Sequence, residues 1–137
     1  MLHTDIKVFL GELEKRPPAT DRAIESEQKQ LNSILPPDYR EFLKITNGGE
    51  GFIGKGSYVM LWSVEQLVSM NNRYEVEKYV QGLLLFGSNG GGEAYGFDTR
   101  DPAWPIVQVP FIGMDSSVMQ LIGNSFLGFL QHLYNGE

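Results

Sequence analysis

The sequence predicts an α+β fold: a mainly antiparallel, twisted sheet with helices packed against it, in a single domain. Three observations predict it. At 137 residues the chain has the length of one domain with a sizeable core. Its centre, from Leu83 to Asp98, has the pattern of a β-hairpin. Helical periodicities precede and follow that hairpin. In the hairpin, Leu83-Leu84-Leu85-Phe86 is a short apolar run bounded by turn residues, as a buried strand is. Glu93 to Asp98 alternates, with Tyr95 and Phe97 on one side and Ala94, Gly96 and Asp98 on the other. Gly87 to Gly92 supplies the turn between them. Gly96 weakens the second strand unless another group packs close to it.

In chain order, Thr4 to Lys15 is predicted as a first helix, because Ile6, Phe9, Leu10 and Leu13 recur at spacings of three and four. Arg16-Pro17-Pro18 ends it. Thr20 or Asp21 caps a second helix carrying Ala23, Ile24 and Leu31 inward. Pro36-Pro37-Asp38 opens a third, with proline tolerated at the first turn and Asp38 suited to the N-terminal dipole. Tyr39, Phe42, Leu43 and Thr46 mark its inner face, and Asn47-Gly48-Gly49 stops it with residues suited to left-handed geometry. Phe52-Ile53 and Tyr58 to Leu61 form a strand pair around Gly54-Lys55-Gly56. Ser63 and Gln66 have capping-box spacing, with Trp62 placed to staple onto Leu67. Asn71 to Gln81 is helical or irregular. Thr99 to Pro102 is a turn, Ile106 to Val109 a strand, and Val118 to Ile122 an edge strand. Ser125 caps a last helix whose Phe126, Phe129, Leu130 and Leu133 make one apolar stripe.

Composition removes several classes of function. No cysteine is present, so disulfides, thiolate nucleophiles and zinc-thiolate sites are excluded. No apolar run is long enough for a transmembrane helix, and the first residues lack the order of a signal peptide. A cytoplasmic protein is expected. Its net charge of −6 is unevenly placed, for after Lys78 only Arg100 is basic. This argues against a nucleic-acid partner and permits a basic one. Gly49 to Gly56 nearly matches a P-loop, but Gly56 stands where magnesium needs Ser or Thr, and a strand follows instead of a helix. Gly87 to Gly92 fails as a dinucleotide loop for the same reason of context. His3 and His132 have no metal-ligand spacing, and no nucleophile elbow is present. No metal, cofactor or catalytic residue is expected.

The ordered set of segments then carries a resemblance. Leu35-Pro36-Pro37-Asp38-Tyr39-Arg40-Glu41-Phe42-Leu43 leads to Asn47-Gly48-Gly49. Leu61 to Leu67 follows, then Phe86-Gly87 with its glycine run, Tyr95-Gly96-Phe97-Asp98, and Ser125 to Leu130. From about Thr20 to Leu133 the chain resembles the SUKH superfamily, which includes fungal cell-wall-assembly regulators and bacterial immunity proteins. Gly128 departs from it, standing where the family has a charged helix former. The resemblance implies a non-enzymatic protein-binding domain. Bacterial members look like antidotes to polymorphic toxins, often nucleases or deaminases. On that basis the expected partner is a basic toxin domain, and the alternative is a regulatory or scaffold module. The candidate contact residues are the carboxylates of the sheet half, Glu50, Glu65, Glu93, Asp98, Asp101 and Asp115, with Tyr95 or Trp104 as an aromatic anchor.

Overall fold

Seven strands lie side by side in the order in which the chain makes them, every neighbouring pair antiparallel. They are β1 (Leu13–Lys15), β2 (Gly49–Ile53), β3 (Ser57–Leu61), β4 (Leu83–Ser88), β5 (Glu93–Asp98), β6 (Ile106–Pro110) and β7 (Gln120–Gly123). The helices are α1 (Asp21–Leu31), α2 (Pro37–Ile45), α3 (Leu67–Arg73), α4 (Val76–Tyr79) and α5 (Phe126–Asn135). These come from a computed structural model that describes residues 6–136. The β4–β5 hairpin lies at the middle of the sheet, as its pattern predicts.

Strand alternation sorts the side chains into two cores. Leu84, Phe86, Tyr95, Phe97 and Ile106 point to the inner face, where they meet Tyr39 and Phe42 of α2 and Phe126 and Phe129 of α5. Ring contacts knit this layer together, with Phe86 against Phe97 at 4.8 Å and Tyr95 against Phe129 at 4.9 Å between centroids. On the outer face Leu83, Leu85, Ala94, Val107 and Val109 pack beneath Val76, Val80 and Met114 as a smaller core. Gly96 shows why a glycine sits inside β5. A Cβ there would lie 2.9 Å from the Leu84 carbonyl and 2.9 Å from each of the Leu83 and Leu85 side chains.

One break in the sheet is mended by a side chain. β3 pairs with β4 only at Met60↔Ser88 and Leu61↔Gly87, so the start of β4 lacks a strand on that side. α3 lies there instead. The Leu85 N–H donates to Asn71 Oδ1 at 2.8 Å, and Asn71 Nδ2 donates to the Leu85 carbonyl at 2.9 Å. One amide thus stands in for a strand residue. Buried backbone groups need such partners.

Several local expectations change. The stripe Ile6, Phe9, Leu10 and Leu13 is buried, but not on one helix. Ile6–Leu10 is a 3-10 turn and Leu13–Lys15 is β1, while residues 4 and 5 lie outside the described residues. Gly11 is a poor helix former, and β2 offers Leu13 a ladder partner in Gly51. Thr20 is the cap of α1, accepting from the Ala23 N–H at 3.1 Å. α2 ends on an extended Thr46, and the positive φ falls at Gly48, +82°. Asn47 instead caps the 3-10 turn Val64–Gln66 that follows β3: the Val64 N–H donates to its Oδ1 at 2.8 Å. The capping box closes, with Gln66 Oε1 accepting from the Ser63 N–H at 3.0 Å. Trp62 packs with the smaller core and stacks on Tyr74, while Leu67 enters the main core, so the Trp62–Leu67 staple is replaced by an aromatic pair. The ambiguous stretch after Asn71 is α3 and α4, parted by Glu75 at φ +53°. Val118 belongs to a 3-10 turn, Ser116–Val118, and the edge strand starts at Gln120. Ser125 caps α5 through the Gly128 N–H at 3.0 Å. Asp38 reaches across from α2 to take the Leu127 N–H at 2.9 Å.

Candidate protein-binding face

The carboxylates singled out from sequence do not gather at one place. Glu93 and Asp98 stand at opposite ends of β5, about 17 Å apart at the rise of an extended strand. Asp98 is committed to its own turn. Arg100 forms an ion pair with it at 3.0 Å, and the Arg100 N–H also donates to it. The hydrogen bond from the Arg100 side chain holds the Asp98 carboxyl below the usual range. Asp101 accepts from the Ala103 N–H at 2.9 Å in the same turn. Asp115 caps the 3-10 turn through the Ser117 N–H at 3.0 Å and its hydroxyl, and these bonds lower its pKa. Glu65 accepts from Asn47 Nδ2 at 2.7 Å, and Gln108 Nε2 approaches Glu93 at 3.4 Å.

The two proposed aromatic anchors take other positions. Tyr95 is 4 % exposed, sealed against Phe129, so it serves the core rather than a surface. Burial, then the nearby Glu93 charge, raises its pKa. Trp104 is half-buried against Phe97, 5.6 Å between centroids, with its backbone at φ +51°. The place of Tyr95 follows from strand parity, which turns Tyr95 and Phe97 inward together, and Trp104, outside the strands, packs onto the inward Phe97.

A different surface emerges on the outer face of β1, β2 and β3. The register aligns Glu14, Glu50, Met60, Ser88 and Ala94 in one row across five strands, all on the outer face. The next row pairs Phe52 with Tyr58. The smaller core covers the β4–β6 half of this face and stops there. Over β2 and β3, Phe52, Tyr58 and Met60 are 45, 37 and 40 % exposed. Phe52 and Tyr58 meet edge to face at 5.4 Å, and the Tyr58 hydroxyl donates to Glu50 Oε2 at 2.7 Å. That hydrogen bond, with the Glu50 and Glu14 charges, raises the Tyr58 pKa. Of the predicted carboxylates, Glu50 alone belongs to this patch. Phe52, Tyr58 and Met60 were legible as strand residues but gave no sign of which side would stay bare.

Elsewhere the described residues offer little chemistry. No group of three or more His, Asp and Glu is placed to hold a metal ion. No helix among them is long and apolar enough to cross a membrane. A cleft of about 330 Å³ between α1, α3 and the far end of the hairpin is lined by Asn71, Thr99 and Trp104. Asn71 is already bonded to Leu85, and the Thr99 hydroxyl donates to the Gly82 carbonyl at 2.6 Å.

The antiparallel sheet thus carries α2 and α5 on its inner face, while α4 covers only part of its outer face. The chain belongs to the SMI1 / KNR4 family (SUKH-1), whose family model matches residues 18–132. SUKH domains bind protein partners and are generally non-catalytic. No match is found among curated proteins.

Proposed function

We propose that this chain is a cytoplasmic immunity protein that neutralises a basic toxin domain by covering it, without doing chemistry. The observation that carries the reading is a bare, carboxylate-bearing sheet face on a SUKH domain of net charge −6. Toxins that act on nucleic acid, as nucleases and deaminases do, hold phosphates with Lys and Arg. An acidic surface engages that same basic patch, gaining on-rate and specificity while blocking substrate. Glu50 is the central contact in this reading. Glu65 and Glu93 extend the acidic field, and Asp98, Asp101 and Asp115 contribute least because their turns already use them.

The test is neutralisation. The product of a toxin gene lying directly upstream is expressed in bacteria with and without this chain. Restored growth, together with a stable complex of the two purified proteins, is the expected result. Undiminished toxicity, with the chain folded and abundant, overturns the reading in favour of a regulatory or scaffold module.

A further inference from the structure

We propose that the bare outer face of β1–β3 is an arginine-reading dock, in which Glu14 and Glu50 together hold a partner protein's guanidinium while Phe52, Tyr58 and Met60 take the apolar residues beside it. This rests on the reading of a basic protein partner and adds where and how that partner is read.

The first observation is a mismatch built into the ladder. Glu14 and Glu50 are direct cross-strand partners in the antiparallel β1–β2 pair. Like charges directly opposite one another destabilise a sheet. The ion pairs among the described residues are Lys44–Asp21, Lys78–Glu75 and Arg100–Asp98, so neither glutamate has one. A cation placed between the two carboxylates relieves that repulsion. Guanidinium suits the place better than ammonium, because its planar fork presents several N–H donors and bonds carboxylates in bidentate fashion.

The second observation is what lies beside the pair. Phe52 and Tyr58 form an exposed aromatic couple, and the Tyr58 hydroxyl fixes one Glu50 oxygen. Ring faces attract cations, Arg more often than Lys. Met60, next to Glu50 in register, adds an adaptable apolar surface. Charge chooses among occupants. A second copy of this chain would set these glutamates against glutamates, while a basic segment complements them. Aromatic anchors with buried charge partners are also what concentrate binding energy at protein interfaces.

The experiment uses the full chain, isotope-labelled and followed by NMR, with capped peptides alternating leucine and arginine. Matched peptides carry Lys or Glu in place of Arg. The arginine peptide is expected to shift the Met60 methyl and the Phe52 and Tyr58 ring signals, and to bind several-fold more tightly than the lysine peptide. The glutamate peptide should leave these signals in place. The Glu14→Gln/Glu50→Gln double variant should weaken arginine-peptide binding by about tenfold or more, as loss of a charge-assisted hydrogen bond does. Phe52→Ala/Tyr58→Ala removes exposed rings, so its spectrum should stay folded while binding falls. Shifts confined to another surface, equal binding of all three peptides, or unchanged affinity in the Gln variant would each overturn the dock. Neutralisation of a toxin is read separately, so a chain that neutralises yet ignores arginine keeps the immunity reading and loses this one.

Discussion

Replacing Asn71 with alanine should cost this protein about 2–4 kcal/mol, because two buried backbone groups lose their partners. Leu85 is wholly buried, and its N–H and carbonyl bond to the Asn71 amide at 2.8 and 2.9 Å. An unsatisfied buried group costs about 1–3 kcal/mol, and there are two. Alanine returns roughly half a kcal/mol through better helix propensity in α3. Asn71 is itself only half-buried, so solvent recovers part of the remainder. The loss is a large fraction of the roughly 5–15 kcal/mol that holds a domain folded. Urea unfolding followed by circular dichroism measures it, with the slope unchanged and the midpoint lowered. Hydrogen exchange adds a local reading, since the Leu85 amide should lose protection ahead of its β4 neighbours. A stability of Asn71→Ala within about 0.5 kcal/mol of the parent, the range of an ordinary surface change, would show that the Leu85 groups do not depend on this amide.

Three further outcomes are expected. Phe129→Ala should cost about 3–5 kcal/mol, since the ring is fully buried against Phe86 and Tyr95; a small loss in chemical denaturation would contradict that packing. Ser63→Ala should cost about 1 kcal/mol through the capping box, and an unchanged denaturation midpoint would count against the cap. Glu27 is 5 % exposed and accepts from the Val68 N–H at 2.9 Å, and burial, aided by the Glu65 charge, raises its pKa above 4.5 despite that bond. Its folded pKa lies above the unfolded one, so its contribution is fully present below about pH 4.5 and is lost as pH rises through the folded value. Glu27→Gln keeps an acceptor for Val68 and removes the buried charge. It should be more stable than the parent at pH 7 and show a flatter stability–pH curve above pH 4.5, and a less stable variant with the same curve would refute this.

Much of the site's scaffold was legible. The period-two pattern of β5 assigned Tyr95 and Phe97 to one face, and both are buried there. That same parity argued against Tyr95 as a surface anchor, a consequence that its neighbourhood of carboxylates obscured. Asp98, a candidate contact by its charge, is held in the turn after β5 by its bonds to Arg100. The bare patch was not legible. Tyr58-Val59-Met60-Leu61 is apolar at every position, so alternation cannot say which two residues face solvent. Glu14 was hidden for a different reason, because its segment carries helical spacing.

The features legible in the residues alone were local: the hairpin at Leu83 to Asp98, the caps at Ser63 and Ser125, the inward stripe of α5, the acidic balance, and the family resemblance. Each depends on neighbours within a turn or on alternation along one strand, where spacing alone sets which side chains share a face. Packing across the whole chain settled whether Leu13 would extend a helix or join a sheet, that Asn71 would complete β4, and that Asn47 would cap a turn 17 residues on. It also decided that the outer face would be roofed over β4–β6 and left open over β1–β3. Those outcomes turn on which groups meet across long stretches of chain. A backbone donor, a strand edge or an apolar face takes whichever partner the fold brings near, and spacing in the sequence does not encode that meeting.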